Sequence, residues 1–210
     1  MIKYLVLVVI VVAFSACSFK KEPNEWQYKS ASYFKEYQEN FLSSNDILAK
    51  GELNQAIKYA KKSADLNRLG QIYLGECALN ISVGLEDKCE KYQAISNAVD
   101  SKKLDAYYAF ITKSLQEKQV SFLQKHYQTC MSQSADLFNM PRVSSTFLCA
   151  SLRRESLDDV SREKLVKLAS YHGYKKVVLF WLQEQKKYLN NSEEIDKINM
   201  KITILNQKWK

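Results

Sequence analysis

The feature that most constrains the fold of this chain is a stretch of sequence that recurs after 33 residues. Residues 50–59 align with residues 83–92, and the alignment superposes three pairs: Gly51 on Gly84, Ala56 on Cys89 and Tyr59 on Tyr92. A repeat of this length is typical of a helical hairpin, which cannot bury its apolar face alone and stacks against its neighbours. The sequence therefore predicts stacked hairpins of α-helices.

Composition supports an all-α fold, because the chain has only five glycines and two prolines in 210 residues. Long stretches carry apolar residues three or four positions apart, which is the spacing of one helix face. Residues 174–182 are rich in β-branched and aromatic types, but they continue into a helical surface pattern, so no strand is predicted. We expect ten helices in five hairpins, with bounds near 27–48 and 52–65, 68–82 and 85–98, 102–116 and 118–133, 142–154 and 159–171, 174–190 and 192–207.

Residues 51–60 resemble the turn and second helix of a tetratricopeptide repeat, in which a glycine ends the first helix and a small residue follows five places later. The resemblance implies a right-handed stack of antiparallel hairpins, a tetratricopeptide-like α-solenoid. Helices approach closely only where their side chains are small. Small residues recur twelve positions apart in four successive units: Ser44 and Ala56, Cys77 and Cys89, Ala109 and Ser121, Cys149 and Ser161. The last hairpin has no such pair and is expected to cap the stack.

The first seventeen residues have the pattern of a secretory signal. Lys3 gives a charged start, residues 4–14 form an apolar run, and small residues precede Cys17. About eleven apolar residues are too few to cross the ~30 Å core of a bilayer as a helix. Residues 14–17, Phe-Ser-Ala-Cys, resemble the lipobox of bacterial lipoproteins, which implies cleavage before Cys17 and acylation of that cysteine. An ordinary cleaved signal with an incidental cysteine is the alternative.

These patterns divide the chain into a lipoprotein signal peptide at residues 1–16, a lipidated polar tether at 17–26, and a single helical-repeat domain at 27–210. Ser18 follows the cysteine, which resembles the pattern that sends lipoproteins to the outer membrane. We therefore expect a protein of the bacterial cell envelope. The lipid on Cys17 would hold it at the outer membrane, and the folded domain would face the periplasm.

The formal net charge of +8 would suit nucleic acid, an anionic membrane or an acidic partner. An exported lipoprotein rarely meets nucleic acid, and the sequence has no basic-aromatic motif of a nucleic-acid module. The expected partners of a basic patch are therefore lipid headgroups, cell-wall polymers or an acidic protein surface. A solvated lysine-rich surface without a partner is the simpler alternative.

Four cysteines besides Cys17 suggest two disulfides, because the number is even and the chain is predicted to be exported. In the register that the tetratricopeptide resemblance implies, Cys77 and Cys89 face each other across one hairpin at a distance that a disulfide can bridge. Elimination then pairs Cys130 with Cys149. Cysteines within hairpins also resemble the exported SEL-type repeat proteins, in which the cysteine pair recurs in unit after unit. Buried free thiols are the alternative.

Residues for catalysis or metal binding do not form a complete motif. His126 and His172 lie on different predicted hairpins and lack the spacing of a zinc signature. The sequence has no nucleophile elbow, phosphate-binding loop or dinucleotide fingerprint, so no cofactor is expected. Ser161 and Lys164 match the Ser-x-x-Lys letters of penicillin-reactive enzymes, an activity associated with some SEL-type proteins, but the same residues suit an ordinary helix start.

Stacked hairpins bind partners along the groove that their first helices form. The tetratricopeptide register places Gln38, Asn45 and Gln71 at the polar end of this groove. It places five residues at the basic end: Lys103, Phe110, Lys113, Arg153 and Arg154. The basic end suits an extended peptide with acidic residues or a free carboxylate, with Phe110 as an apolar contact. Ordinary solvated helix positions are the alternative interpretation.

The sequence thus predicts a scaffold rather than an enzyme. It would be a lipid-anchored module that binds another envelope protein or peptide and supports an envelope machine or transport system. The alternative is a cysteine-rich SEL-type repeat protein that binds peptidoglycan or β-lactams, or has β-lactamase activity. A host-facing surface protein is a third alternative.

Overall fold

The computed structural model describes residues 24–132 and 136–207 of the chain. The predicted signal peptide, Cys17 and the tether as far as residue 23 lie outside these residues. Within the described part of the chain every regular element is helical, with ten α-helices and three short 3-10 helices. The all-α fold class that the sequence predicts is confirmed.

We number the α-helices in chain order. They are α1 (Glu25–Leu42), α2 (Asp46–Ala60), α3 (Leu66–Ser82), α4 (Glu90–Ser96), α5 (Lys102–Ile111), α6 (Lys125–Cys130), α7 (Val143–Leu152), α8 (Asp159–Tyr171), α9 (Lys175–Lys186) and α10 (Ser192–Asn206). The 3-10 helices are Glu117–Phe122, Leu137–Asn139 and Arg154–Ser156.

The predicted bounds agree best where local capping residues define a helix end. α8 begins and ends at the predicted residues. Its first turn is capped by Asp158, whose carboxylate accepts a hydrogen bond from the Ser161 N–H at 2.7 Å. Gly173 follows its last turn with a φ of 69°, a left-handed backbone that glycine adopts without steric cost.

The turn of the first hairpin is not at Gly51, where the sequence predicts it. Gly51 lies inside α2, and the turn is three residues long with Ser44 at a φ of 69°. The turn is closed by a hydrogen bond of 2.8 Å from the Asn45 N–H to the Asn40 carbonyl, as in a Schellman motif. The predicted close-packing pair of Ser44 with Ala56 is therefore wrong, because Ser44 forms the turn and Ala56 is buried along α2.

The second hairpin does turn at its glycine, but its second helix starts later than predicted. Gly84 has a φ of 78°, and α4 begins only after Cys89, which is itself left-handed with a φ of 55°. The connection between them is held by Asp87. Its carboxylate accepts hydrogen bonds of 2.7 Å from the Cys89 N–H and from the Asn80 side-chain amide. The predicted helix 85–98 is thus reduced to α4 by a loop that satisfies its own polar groups.

The predicted helix 118–133 is also broken, into the 3-10 helix Glu117–Phe122 and α6. Leu123 separates the two with an extended backbone and a side chain that is 5% exposed. The side-chain amide of Gln128 donates a hydrogen bond of 2.8 Å to the Leu123 carbonyl and so satisfies this buried break. Ser121, which the small-residue pattern pairs with Ala109, is exposed.

The core is organised around α3, which packs against α1, α2, α4, α5 and α7. Two glycines allow these close approaches. An added Cβ at Gly75 would overlap the ring of Phe34, and one at Gly70 would lie 3.2 Å from Leu104 and Tyr92. From the other side, α7 contributes residues 145–151, all of which are buried.

The first hairpin contacts the C-terminal part of the chain through α1 and α9. The Tyr174 hydroxyl donates a hydrogen bond of 2.8 Å to Glu39, and Lys176 pairs with Asp46. Trp181 on α9 is fully buried. Tyr174 is also buried, whereas Tyr171 and Tyr188 are exposed.

Both cysteine pairs that the sequence predicts lie at disulfide distance. The Cα atoms of Cys77 and Cys89 are 5.3 Å apart, and those of Cys130 and Cys149 are 5.9 Å apart. The first pair joins α3 to the residue before α4 rather than joining two facing helices. Among the residues that the structure describes, no helix is long and apolar enough to cross a membrane.

Candidate functional site

The four basic residues predicted for the groove do not share one site. Lys103 is exposed on the first turn of α5 and Lys113 is exposed just past its last turn, roughly 15 Å away at the helical rise per residue. Arg153 and Arg154 follow the C-terminal end of α7. Arg153 is half-buried, and burial lowers the pKa of its guanidinium. The backbone carbonyl of Arg154 accepts a hydrogen bond of 3.3 Å from Arg162.

Phe110 belongs to the core and does not offer a surface contact. Only 7% of the residue is exposed. Its ring packs against those of Tyr107 and Tyr127, with centroid distances of 6.3 and 5.2 Å. The prediction of an apolar ligand contact at Phe110 is therefore wrong, because α6 covers this face of α5.

A cleft of about 450 Å³ opens beside α3, where that helix meets α5, α6 and the start of α7. We call it the basic cleft. Its walls include Gln71, Ser101, Lys103, Tyr107, Phe122, Gln124, His126, Tyr127, Arg142 and Ser145. Its volume lies in the range of small-molecule and peptide-side-chain sites.

A smaller cavity of about 160 Å³ continues the basic cleft toward α1. We call it the inner chamber, and five residues line both spaces: Gly75, Tyr107, Tyr127, Arg142 and Ser145. Phe34 and Gln38 of α1 form its far wall. Three residues that the sequence places in the groove, Gln38, Gln71 and Lys103, therefore line these two connected spaces.

The charge of the basic cleft has one sign. The cations Lys103 and Arg142 line it beside His126, and no described aspartate or glutamate does. Lys103 and Arg142 are exposed and form no ion pair with another described residue. Burial lowers the pKa of His126, and the positive charge of Arg142 lowers it further. A cleft with charges of one sign concentrates ligands of the opposite sign.

The wall between the cleft and the inner chamber carries hydroxyl groups. The hydroxyls of Tyr127 and Ser145 lie 3.2 Å apart and share a hydrogen bond. Burial raises the pKa of Tyr107 well above its usual value, and a hydrogen bond with Tyr127 adds to the shift. The Tyr107 hydroxyl therefore stays neutral, and the wall can offer hydroxyl hydrogen bonds to a ligand beside the amides of Gln71 and Gln124.

Arg142 and His126 are the residues of the site that sequence reasoning did not find. Arg142 precedes α7 directly after Pro141, and its position depends on packing of α7 against α3. His126 lies on α6, within a segment predicted as one long helix. The sequence signal for Arg142 is local: it follows a proline and precedes a helix that contains no charged residue.

Among the residues considered for catalysis, Ser161 and Lys164 lie one turn apart on α8, and His126 lies on another helix, α6. Ser161 bonds Asp158 at the start of α8, and the ammonium of Lys164 lies 5.6 Å from the ring centroid of Phe138. His172 stacks with Tyr174 and is remote in sequence from His126. No hydrogen bond joins Ser161 to Lys164 among the described residues.

One group of described residues has the spacing of metal ligands. Ligand atoms of Cys77, Asp87 and Cys89 lie within 4.8 Å of one another. Both sulfurs are at disulfide distance from each other, and the Asp87 carboxylate already accepts two hydrogen bonds. The group therefore offers no complete donor set for a metal ion.

Comparison with known proteins gives no family assignment. No protein-family model matches the chain, and no curated protein or solved structure is significantly similar to it. The function must be argued from the residues themselves.

Proposed function

We propose that this protein is a lipid-anchored scaffold of the bacterial cell envelope, which binds an acidic segment of another envelope protein in the basic cleft. In this proposal Cys17 carries the lipid, and the folded domain faces the periplasm from the outer membrane. The protein binds its partner and does not change it chemically, and the binding supports assembly of an envelope machine or transport system.

The observation that carries the proposal is the charge of the cleft. Two cations, Lys103 and Arg142, line its walls, and no described carboxylate lines them. A cleft lined by charges of one sign raises the local concentration of ligands of the opposite sign. An acidic ligand supplies the missing charge.

The chemistry of the walls favours a peptide with carboxylates over a simple inorganic anion. The Arg142 guanidinium can bind a carboxylate through two parallel hydrogen bonds, and Lys103 adds a point charge. The side-chain amides and hydroxyls between them suit a peptide backbone. The inner chamber of about 160 Å³ has room for one side chain of about the size of a benzene ring.

We propose that the helices form a compact variant of a tetratricopeptide-like stack of about five hairpins. The hairpin pairs α1 with α2 and α9 with α10 support this view. The contacts of α1 with α9 and of α3 with α7 bring together hairpins that a straight stack would separate. The binding site is then a closed cleft rather than an open groove.

The first test is crosslinking in the intact envelope followed by affinity purification. The wild type is compared with a variant that carries Lys103→Glu and Arg142→Glu. A matched control carries Lys118→Glu and Lys186→Glu, two exposed lysines outside the cleft, so that both variants have the same net charge. We expect one partner to be captured by the wild type and the control, and lost by the cleft variant.

Equal loss of the partner in both variants would contradict a specific cleft, because net charge alone would then explain binding. Retention by the cleft variant would place the partner elsewhere on the surface. Labelled penicillin separates the SEL-type alternative, which requires covalent labelling that a Ser161→Ala variant loses. The mass of the N-terminal peptide reports whether Cys17 is acylated.

A further inference from the structure

One end of the first hairpin is basic, and it is the end nearest to Cys17 in sequence. Because α1 and α2 are antiparallel, α1 begins where α2 ends. Lys29 and Lys62 both lie over Tyr59 at this end, with their ammonium groups 5.3 and 4.4 Å from the ring centroid. Arg68 reaches the same place, where it donates a hydrogen bond of 3.3 Å to the Gln27 carbonyl.

We call this region the anchor-proximal surface. Its five cationic residues are Lys29, Lys58, Lys61, Lys62 and Arg68. Two carboxylates are present, and both have local roles: Glu25 pairs with Lys29 at 2.5 Å, and Asp65 caps α3. Lys58, Lys61 and Lys62 are exposed and form no ion pair with another described residue.

Aromatic side chains accompany these cations. Tyr28 is 65% exposed on the first turns of α1, and the partly buried Trp26 precedes it. Tyrosine and tryptophan are favoured at the interface between membrane and water, because each joins an apolar ring to a polar group. The opposite end of the hairpin differs, since Glu39 and Asp46 there are engaged by Tyr174 and Lys176 of the C-terminal part.

The length of the connection keeps the anchor-proximal surface near the membrane if Cys17 carries a lipid. Seven residues, 18–24, separate Cys17 from the start of α1. A chain of that length spans at most about 25 Å when fully extended. Lys20, Lys21 and Glu22 lie within this stretch of sequence, which carries one net positive charge. No other end of the fold is tied to the membrane so closely in sequence.

We propose that the anchor-proximal surface lies on the anionic lipid headgroups of the membrane that carries the protein and fixes the orientation of the folded domain. This inference rests on the lipid anchor of the proposed function. Lysines within a Debye length of a negative lipid surface are attracted to it, and a basic patch is a common second signal beside a covalent lipid. The domain then stands on one defined face instead of rotating freely on its tether.

The test is residue-resolved footprinting of the whole chain, purified from bacterial membranes and reconstituted on vesicles. Vesicles of phosphatidylcholine alone are compared with vesicles that also contain phosphatidylglycerol. An amine-acetylating reagent reports on lysines, and hydroxyl radicals report on tyrosines. Lys50 and Lys118 are the internal lysine controls, and Tyr171, which is 86% exposed at the far end of the fold, is the tyrosine control.

On the anionic vesicles we expect modification of Lys61, Lys62 and Tyr28 to slow by about three- to tenfold. Modification of the control residues stays unchanged, and high salt removes the difference because the attraction is screened. A variant with Lys58→Gln, Lys61→Gln and Lys62→Gln should lose the protection of Tyr28. A variant with Lys50→Gln, Lys113→Gln and Lys118→Gln should keep it.

Equal modification rates on both kinds of vesicle would overturn the inference, as would equal protection of the control residues. The mass of the N-terminal peptide in the same preparation reports acylation of Cys17 independently. A chain that lacks the lipid contradicts the proposed anchor, whereas an acylated chain without protection contradicts only the headgroup contact. The two failures are therefore distinct.

Discussion

The first two hairpins are held together in different ways. In the first, a turn of three residues joins two long helices, α1 and α2, and the Asn40 amide bonds the Glu52 carboxylate across them at 2.9 Å. In the second, seven residues lead from α3 to α4, which is itself only seven residues long. A helix of that length is not stable alone. We infer that the second hairpin is held by the bond between Cys77 and Cys89 and by the hydrogen bonds of Asp87. The first hairpin is held by the packing of its two helices.

Residues that align in the repeat can have different structural roles, as Gly51 and Gly84 do. Gly51 is an exposed residue within α2, and an added Cβ there would meet no atom within 4 Å. Gly84 closes a left-handed turn against the ring of Phe180. Gly51 can therefore be replaced, whereas Gly84 is required by its left-handed backbone and by its contact with Phe180.

The largest effect is expected for Gly84→Ala. The alanine would adopt an unfavourable left-handed backbone and displace the Phe180 ring, so we expect the free energy of unfolding to fall by about 3–4 kcal/mol. Urea denaturation with the disulfides intact measures this change. In a Phe180→Leu background, Gly84→Ala should cost less stability, because the steric overlap with the Phe180 ring is removed. A Gly84→Ala variant as stable as the wild type would contradict the turn.

The second-largest loss of stability is expected when the first disulfide is removed by Cys77→Ala with Cys89→Ala. Because the bond closes a short loop, the chain-entropy model gives a loss of about 2–3 kcal/mol. We also expect amide hydrogens of α4 to exchange much faster, while those of α2 stay protected. Hydrogen exchange with mass spectrometry makes this comparison within one molecule. Unchanged exchange in α4 would show that the bond is not what holds it.

A smaller effect of opposite sign is expected for Gly51→Ala. Alanine in an exposed helix interior is favoured over glycine, so the free energy of unfolding should rise by about 0.5–1 kcal/mol. The same denaturation experiment detects it. A loss of stability would instead indicate a left-handed turn at this position, as the tetratricopeptide resemblance implies.

The smallest effect is expected when the cysteine pair of the second hairpin is copied into the first. A variant with Ser44→Cys and Ala56→Cys should form no new disulfide, because the two positions are roughly 18 Å apart along α2. Mass spectrometry after alkylation should find both new thiols free. A bond between them would support the predicted register and contradict the observed turn.

Much of the fold could be predicted from local sequence. α8 was bounded correctly, since Asp158 and Gly173 mark its ends whatever the rest of the chain does. The two cysteine pairs were also identified. Segments whose residues can form either a helix or a turn were not predicted correctly. Ser44 could form a turn without glycine, and Asp87 could stabilise a loop in place of helix.

The candidate site was predicted only in part, because it depends on contacts between distant segments. Gln38, Gln71 and Lys103 were placed on the binding surface from the repeat register, and all three line the cleft or its inner chamber. Arg142 and His126 were missed, since only the packing of α7 and α6 beside α3 brings them there. Phe110 was assigned to the surface because its burial by α6 leaves no local signal.

The most direct test of the basic cleft is site-specific photocrosslinking in living cells. A photoreactive amino acid replaces Gln71, which is exposed on the wall of the cleft, or Lys113, which is exposed just after α5 and outside the cleft. We expect the probe at position 71 to crosslink one partner, whose crosslinked peptide is acidic, and the probe at 113 to give none. Crosslinking to the same partner from position 113 but not from 71 would contradict the basic cleft as the binding site.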